Sequence, residues 1–407
     1  MFMPFTIYGK MIPDAKRKDN MEGSYHNMKK NELFILYGRD YKEMAKYLLQ
    51  SAGLDRMIPA KDTLIGIKPN LVSAVPASEG ATTHPEVVAG IIEYLQERGY
   101  SNLVILESSW VGDVTKRAIE ACGYDRLCSH YGVPFWDLQE DRGIETDCGG
   151  MKLHICERVA QIGFLINVPV LKGHCQTKMT CALKNMKGLI PGSEKRRFHR
   201  MGLHDPIGHL AAGIPQDFIL VDSICGDLTL EDGGNPVQQD RLIAAVDPVL
   251  CDAYACRVIG ITPHDVPYME IAQSLGVGSA DLSHAQIRVI RESEGKWITG
   301  GEDESETVAR GGFRRVCALA DNVTEVESCS ACYGELIPAL ARLEEEGLLD
   351  LLHEKICIGQ GYRGKSGELG VGNCTSRFRH FQAGCPPTQA QMYAFLKDYI
   401  LVLSDRE

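Results

Sequence analysis

The sequence at residues 164–188 is FLINVPVLKGHCQTKMTCALKNMKG. Its first eight residues are largely apolar, which is typical of a strand buried on both faces of a parallel sheet. The eighteen residues from position 171 carry four lysines, a histidine and two cysteines. Because ligands bind beyond the carboxyl ends of parallel strands, this junction predicts a functional site.

Five further apolar runs bounded by turn residues predict strands of the same kind. They are LFILYG (33–38), TLIGIK (63–68), NLVILE (102–107), FILVDSI (218–224) and RLIAAVD (241–247). Helical periodicity lies between them, at residues 85–99 and 249–260. This alternation predicts an α/β fold, with a mostly parallel sheet covered by helices on both faces. The segment 133–155 predicts antiparallel strands at a sheet edge.

The polar, glycine-rich segment 293–312 predicts a linker between two domains. A large α/β domain is expected at residues 31–292, after a polar tail at 1–30. A smaller α/β domain that contains several cysteines is expected at 313–407, because apolar runs and helical patterns resume there.

Composition excludes some classes of partner. The formal net charge is -11, and phosphate binding needs a basic surface, so nucleic acid is not expected as a partner. No apolar run is long enough for a membrane helix, and the first residues lack the pattern of a signal peptide. We therefore expect a cytoplasmic protein that does not bind membranes. The chain has 15 cysteines, and without secretion a disulfide framework is not expected, so some of them should bind metal or react as thiols.

Polar residues end four of the predicted strands, and together they predict one site. Lys68 and Asn70 follow the second strand, and Glu107 ends the third. Lys172 and His174 end the 164–171 strand. Asp222 stands near the end of the strand at 218–224. Each has a simpler explanation as a solvated strand exit, but their coincidence favours a shared cavity for an anionic small molecule.

Within the opening stretch, the pattern predicts a loop KGHCQT and then a helix from residue 178. Free backbone amides near residues 176–178 would attract an anion, and Lys172 would bind it. His174 is expected to be a proton donor or a metal ligand. Lys184 should point to the same cavity in a supporting position, whereas Lys187 is interpreted as part of a solvated face. Gly188 would permit a close approach by substrate or backbone, unless it only ends the helix.

The segment GSEKRRFHRMGLHD (192–205) is basic in an acidic protein. We interpret it as a loop that attracts an acidic small molecule, or else as an ordinary exposed loop. Asp247 precedes Pro248, and this pair predicts a helix N-cap with proline at the first helical position.

Several of these segments resemble the family called domain of unknown function 362. The resemblance lies in IGIKPNLV, ATTHPEVV, VILESS, INVPVLKGH, CALKNMKGLIPG, FILVDSI, DGGNPV and AAVDPVLCDAYACRVIG, over roughly residues 60–280. The family is associated with iron–sulfur proteins, although the ferredoxin-type run C-x₂-C-x₂-C-x₃-C is absent here. The residues that match the family pattern are Lys68, His84, Lys172, His174, Lys184 and Asn185.

The carboxyl-terminal cysteines form a second pattern. Cys329 and Cys332 form a C-x₂-C pair, and Cys374 and Cys385 each follow a glycine-containing turn. The order resembles the proximal 4Fe–4S site of the nickel–iron hydrogenase small subunit and of its complex I relative. Four thiolates are the usual ligands of a 4Fe–4S cluster. Zinc also binds four cysteines, and ordinary burial is a third explanation. Cys357 is a core residue or an alternative ligand.

Three functions remain open from the sequence. The first is an iron–sulfur redox enzyme that acts on an anionic small molecule, with a redox protein as a possible partner. The second is an electron-relay or assembly module without catalysis of its own. The third is a proton-transfer enzyme of the isomerase or racemase type with a structural metal. The expected site residues are Lys68, Glu107, Lys172, His174 and Lys184, with Cys329, Cys332, Cys374 and Cys385 as cluster ligands.

Overall fold

The computed structural model describes residues 27–229, 231, 233–293, 296–300 and 318–404. Most of the predicted tail and residues 294–295 and 301–312 of the predicted linker therefore lie outside the described residues.

The strands, in chain order, carry the labels used below. They are β1 Glu32–Tyr37, β2 Ile65–Pro69, β3 Leu103–Glu107, β4 Phe135–Asp137, β5 Gly143–Cys148, β6 Met151–Cys156, β7 Phe164–Val168, β8 Lys172–His174, β9 Lys178–Thr180, β10 Phe218–Ser223, β11 Arg241–Ala245, β12 Gln286–Ser293, β13 Lys296–Thr299, β14 Val323–Glu325, β15 Ile356–Ile358, β16 Leu369–Val371 and β17 His380–Gln382.

The helices are labelled in the same way. They are α1 Tyr41–Ser51, α2 Pro85–Glu97, α3 Thr115–Ala121, α4 Tyr124–Tyr131, α5 Ala182–Asn185, α6 Gly192–Met201, α7 His204–Gly213, α8 Pro248–Ile259, α9 Pro267–Ser274, α10 Ser330–Glu345 and α11 Gln389–Ser404.

The main sheet has the strand order β13-β12-β1-β11-β10-β7-β2-β3-β4 in the described residues. All its pairs are parallel except those made by β11 and β13. Alternate residues of β1 enter two different hydrophobic clusters, with Leu33 and Ile35 in one and Phe34 and Leu36 in the other. Because alternate side chains of a strand point to opposite faces, both faces are covered. The predicted α/β fold is confirmed.

A second sheet lies in the carboxyl-terminal part, where β14, β15, β16 and β17 are adjacent and all parallel. Helices α10 and α11 pack on it. Their side chains Leu336, Leu340 and Leu396 belong to a hydrophobic cluster that draws its buried members from residues 319–400. The predicted smaller α/β unit is thus present.

Three local predictions were wrong. Residues 143–156 form a separate hairpin, β5–β6, and not an edge of the main sheet, whereas β4 joins that edge in parallel. Residues 172–180 form a second hairpin, in which β8 and β9 pair across a turn, so the next helix begins only at Ala182. Residues 296–299 of the predicted linker form the edge strand β13.

No helix in the described part of the chain combines the length and the hydropathy that crossing a bilayer would require.

Asp247 caps α8 as predicted, because its carboxylate accepts hydrogen bonds from the backbone amides of Val249 and Leu250. Asp247→Ala should lower the free energy of unfolding by about 0.5–2 kcal/mol, which is the usual cost of losing such a cap. Asp247→Asn keeps an acceptor oxygen and should recover most of the loss. Urea unfolding followed by circular dichroism measures both, and equal losses in the two variants would contradict the capping role.

Candidate functional site

Six basic side chains line one cavity beyond the carboxyl ends of β2 and β3, which we name the cation cavity. They are Lys172, His174, Lys184, Lys187, Lys195 and His199. They come from β8, from α5 and the turn that follows it, and from α6. The acidic side chains in the wall are Glu107 and Glu231. This balance of charge favours an anionic ligand.

An ion pair lies in the floor of the cation cavity. The Lys68 ammonium is 2.7 Å from a carboxylate oxygen of Glu107, and both side chains are buried. Burial lowers the pKa of Lys68, and the Glu107 carboxylate opposes that change. A Cβ atom on Gly188 would collide with both charged groups. Gly188 is therefore needed for a close approach, but the group that approaches is this ion pair and not the substrate or backbone that the sequence suggested.

Lys172 has buried hydrogen-bond acceptors around its ammonium. It donates to the backbone oxygens of Ala81 (2.6 Å) and Glu231 (2.7 Å) and contacts the Asn70 side-chain oxygen at 3.5 Å. It therefore connects the segment between β2 and α2 to the segment between β10 and β11. Direct anion binding by Lys172 stays a prediction, and these contacts favour a positioning role instead.

His174 has a defined tautomer. Its Nδ1 accepts hydrogen bonds from the backbone amides of Gln176 (3.1 Å) and Thr177 (3.3 Å), so the proton of the neutral ring is on Nε2. Nε2 lies 3.5 Å from a carboxylate oxygen of Glu231. Burial lowers the pKa of His174 well below its usual value, and Lys184 and other nearby cations add to this effect. The ring is therefore a neutral proton donor at neutral pH.

The same geometry bears on metal binding. His174, Cys175 and Glu231 offer ligand atoms within 4.8 Å of one another. A metal bound to Nε2 would move the ring proton to Nδ1. There it would point at the two backbone N–H groups that now donate hydrogen bonds to Nδ1, which is unfavourable. Of the two roles predicted for His174, the geometry favours the proton donor.

Lys184 and Lys187 both face the cation cavity. Lys184 lies where the sequence predicted, and its ammonium donates to the Thr180 hydroxyl at 3.2 Å. The interpretation of Lys187 as part of a solvated face was wrong. Burial, together with the charges of Lys184 and Lys195, lowers the pKa of Lys187 well below its usual value.

Anion binding by a helix amino terminus near residues 176–178 was also wrong. Helix α5 begins at Ala182, and the buried Asp252 carboxylate already accepts the amides of Ala182 (2.7 Å) and Leu183 (3.3 Å). The free amides that the prediction required are thus used inside the protein.

Helix α6 occupies most of the basic segment that the sequence suggested was a loop. Lys195 and His199 are one turn apart and face the cation cavity. The Lys195 ammonium donates to the backbone oxygens of Ser108 (2.6 Å) and Ser109 (2.7 Å), and burial lowers its pKa to about 8. His199 is buried, and its Nδ1 has no hydrogen-bond partner among the described residues.

A second cavity, of about 490 Å³, holds the four carboxyl-terminal cysteines, and we name it the cysteine cavity. Its cysteines are Cys329, Cys332, Cys374 and Cys385. They follow β14, β16 and β17 in the chain, so they lie together at the carboxyl edge of the small parallel sheet. Cys357 lies within β15 and interacts with Tyr362.

The surroundings of the sulfurs suit thiolate ligands. Arg363 hydrogen-bonds to Cys374, and the Gln360 side-chain amide lies 3.6 Å from the Cys329 sulfur. Burial raises the pKa of Cys332 to about 12, and the charges of Cys329 and Cys385 add to this effect. A bound metal ion would remove that cost by neutralising the thiolates.

The two cavities share a wall. Trp110 and Val111, in the loop after β3, line both. Arg196 and Arg200 of α6 line the cysteine cavity, whereas the residues immediately before each of them line the cation cavity. One helix therefore supplies positive charge to both sites.

His84 and Asp222 form a separate site together with Cys225. The His84 Nδ1 is 2.8 Å from the Asp222 carboxylate, and Nε2 is 3.6 Å from the Cys225 sulfur. Burial disfavours the charged ring, but Asp222 and Cys225 outweigh it and raise the pKa of His84 to about 10. Asp222, although a predicted strand end, therefore does not join the cation cavity.

The wall residues that sequence reasoning missed include Trp110, Lys187, Lys195, His199 and Glu231. The basic composition of residues 192–205 was a usable signal for two of them. Helical spacing within that segment, one turn between Lys195 and His199, would have placed both on one face.

Residues 65–257 match the family model described as Domain of unknown function (DUF362). The resemblance expected over roughly residues 60–280 is thereby confirmed for this region. The matched region includes the predicted residues of the cation cavity and ends before the four cysteines.

Other comparisons find proteins of low similarity to this chain. The thylakoid-associated protein sll1697 of Synechocystis sp. is 24% identical over 255 residues, which cover 58% of this chain and 77% of that protein. The lactate racemase apoprotein of Thermoanaerobacterium thermosaccharolyticum is 13% identical, with a TM-score of 0.39 over 56% of each chain. A Thermotoga maritima protein of known structure is 12% identical, with a TM-score of 0.30 over 71% of this chain and 61% of its own. The chain thus spans less than two thirds of either solved structure.

Glu107→Ala should lower the free energy of unfolding by about 3–5 kcal/mol, because it leaves the Lys68 ammonium buried without its counter-charge. The double variant Lys68→Met/Glu107→Leu removes both charges, so its free energy of unfolding should be closer to that of the parent protein. Glu145→Ala, which breaks the exposed pair with Lys152, is the control and should change little. Urea unfolding measures all three, and equal losses in Glu107→Ala and Glu145→Ala would contradict the role of the buried pair.

The raised pKa of His84 predicts a pH dependence. Its contribution to stability is fully present below pH 6.5, the ordinary pKa of histidine, and is lost as the pH rises through about 10. Asp222→Asn removes the carboxylate charge, so burial should then lower the pKa of His84 below 6.5. NMR titration of the ring carbon protons measures both values, and an unchanged His84 pKa in the variant would refute the pairing.

Proposed function

We propose that this protein holds a 4Fe–4S cluster on its four carboxyl-terminal cysteines and is a redox enzyme that acts on an anionic small molecule in the cation cavity. The observation that carries the proposal is the shared wall of Trp110, Val111 and α6 between the two cavities. A redox centre beside a substrate site needs this proximity.

The cysteine cavity fits a cluster better than a single zinc ion. Four sulfurs on one zinc lie about 3.8 Å apart, since each Zn–S bond is about 2.3 Å. In the described residues, the groups of three ligand atoms that lie within 4.8 Å of one another include none of these four sulfurs. The four sulfurs are therefore spaced more widely than the ligands of one zinc ion, and this spacing suits the larger 4Fe–4S cubane. Arg196, Arg200 and Arg363 in the wall would balance the negative charge of a thiolate-bound cluster.

Side chains of the cation cavity would bind the substrate and supply protons to it. Lys184 attracts the anion, and Lys172 and Asn70 hold the surrounding loops in place. His174 presents its Nε2 proton toward Glu231 in the cavity wall and can deliver a proton to a bound substrate. A bound cluster would supply single electrons. The Cys385 side chain is exposed, which would bring that centre near the surface for a redox partner protein.

A proton-transfer enzyme is the second candidate, and one observation favours it. A neutral proton donor, His174, and a lysine with a lowered pKa, Lys187, line the same cavity. Groups whose pKa values are shifted in this way can act as acid and base in an isomerase or racemase. The cysteines would then hold a structural metal. An electron-relay module without catalysis would not need this cavity.

Anaerobic reconstitution with iron and sulfide tests the cluster. The protein should bind about four iron and four sulfide ions per chain and develop a broad absorbance near 400 nm that bleaches with dithionite. Cys332→Ser should lose most of the bound iron, because it removes one of four thiolates. Cys357→Ser, whose sulfur interacts with Tyr362, is the matched control and should keep the iron.

Two results would decide against the redox proposal. A colourless protein that binds one zinc ion through the same cysteines would support the proton-transfer candidate. Equal iron content in Cys332→Ser and Cys357→Ser would show that the cysteine cavity does not hold the cluster.

A further inference from the structure

We propose that Lys187 is a nucleophile that forms a Schiff base with the carbonyl carbon of a small 2-oxo acid bound in the cation cavity. The proposal deepens the proposed function, since it rests on anion binding in this cavity, but it does not depend on the identity of the metal. It names the substrate class: a carboxylate with an adjacent ketone or aldehyde.

The contacts of the lysines in and below the cavity distinguish Lys187 from the others. Lys68 is paired with Glu107, Lys172 and Lys195 donate to backbone oxygens, and Lys184 donates to Thr180. Within the described residues, the Lys187 amine makes no hydrogen bond or ion pair, although it lines the cavity. Its nitrogen is therefore available to a ligand.

The surroundings of Lys187 favour the neutral amine. The side chain is largely removed from water, and the charges of Lys184 and Lys195 oppose a further positive charge, so its pKa lies well below the usual value. Glu231 acts in the opposite direction but less strongly. Only the neutral amine attacks a carbonyl, and lysines in such surroundings are the usual Schiff-base nucleophiles.

Groups for proton transfer line the same cavity. The His199 Nδ1 is buried and has no partner among the described residues, and burial with the charges of Lys187 and Lys184 lowers the pKa of His199 to about 2. The neutral ring has one lone pair and one N–H group, so it can relay a proton between groups bound in the cavity. The His174 Nε2 carries a proton and can donate it. Lys184 adds a positive charge that would attract the carboxylate of a 2-oxo acid.

The reaction balances with these groups alone. The Lys187 nitrogen forms a bond to the carbonyl carbon, and the electron pair of the C=O double bond moves to oxygen. His199 relays one proton from the attacking nitrogen to the oxygen, which becomes a hydroxyl group, while the His174 Nε2–H donates a hydrogen bond to that oxygen. The second proton of the nitrogen then passes to the hydroxyl group by the same route, the oxygen leaves as water, and the nitrogen lone pair forms the C=N bond. The sum is amine plus ketone giving imine plus water, with no oxidant or reductant.

Borohydride trapping tests the proposal. The protein is incubated at pH 7 with glyoxylate, pyruvate or 2-oxoglutarate, reduced with sodium borohydride, and examined by intact and peptide mass spectrometry. At least one of the three acids should give one reduced adduct per chain, located on Lys187. The exposed Lys116 of α3 should be labelled at least tenfold more slowly, because it lies outside the cation cavity and has no bound acid beside it.

Variants separate the nucleophile from the charge. Lys187→Arg keeps a long basic side chain but lacks a nucleophilic amine, so it should abolish the adduct, and Lys116→Arg should leave it unchanged. Lys184→Met should reduce the rate of adduct formation at least tenfold, because the carboxylate loses a cation. Adducts on other lysines but not on Lys187, or no adduct with any of the three acids, would overturn the proposal.

Binding of oxalate, a dicarboxylate without a ketone or aldehyde, tests the anion site separately from the Schiff base. Oxalate binding by calorimetry that weakens in Lys184→Met, without any adduct on Lys187, would keep the anion site of the proposed function and reject the Schiff base. If the parent protein bound neither oxalate nor any of the 2-oxo acids, the anion site itself would be rejected.

Discussion

The buried ion pair between Lys68 and Glu107 determines the geometry of the cation cavity. Removing two charges from water is costly, and the cost is offset only when further hydrogen bonds satisfy both groups. The Glu107 carboxylate also accepts the amides of Leu71 and Ser108, and the Lys68 ammonium donates to the Pro69 oxygen. Gly188 lies against the pair, and its backbone oxygen accepts the Ser108 amide at 3.1 Å. The turn after α5 is thereby held over the ends of β2 and β3, and this places Lys184 and Lys187 in the cavity.

The sequence predicted those parts of the structure that depend on local pattern. The apolar runs located six strands of the main sheet because burial on both faces requires continuous apolar sequence. The four cysteines were grouped because their order resembles a known cluster site, and in the structure the parallel strands carry the loops that hold them to one edge. The hairpin at 172–180 could not be predicted, since its position depends on a distant segment: the Gly173 amide donates to the Asp227 oxygen.

Lys187 shows the same limit at the level of one side chain. Helical periodicity separates apolar from polar positions, and a lysine outside the apolar stripe is assigned to solvent. What removes this lysine from water is packing around the cavity, where α6 supplies Lys195 to the facing wall. No pattern within residues 171–188 contains that information. The tautomer of His174 could not be predicted either, because it depends on two backbone amides of a turn.

Helix α6 lines two cavities at once, and this limits the changes of length that the protein can accept. Its residues 195 and 199 face one cavity, and residues 196 and 200 face the other. Successive residues of an α-helix are rotated by about 100°, since a turn contains 3.6 residues. A single residue deleted before Lys195 would turn Arg196 and Arg200 toward the cation cavity, and a single residue inserted there would turn Lys195 and His199 toward the cysteine cavity. Exchange of one side chain alters one cavity, whereas a change of length would alter both at once. The helix should therefore accept substitutions far more readily than insertions or deletions.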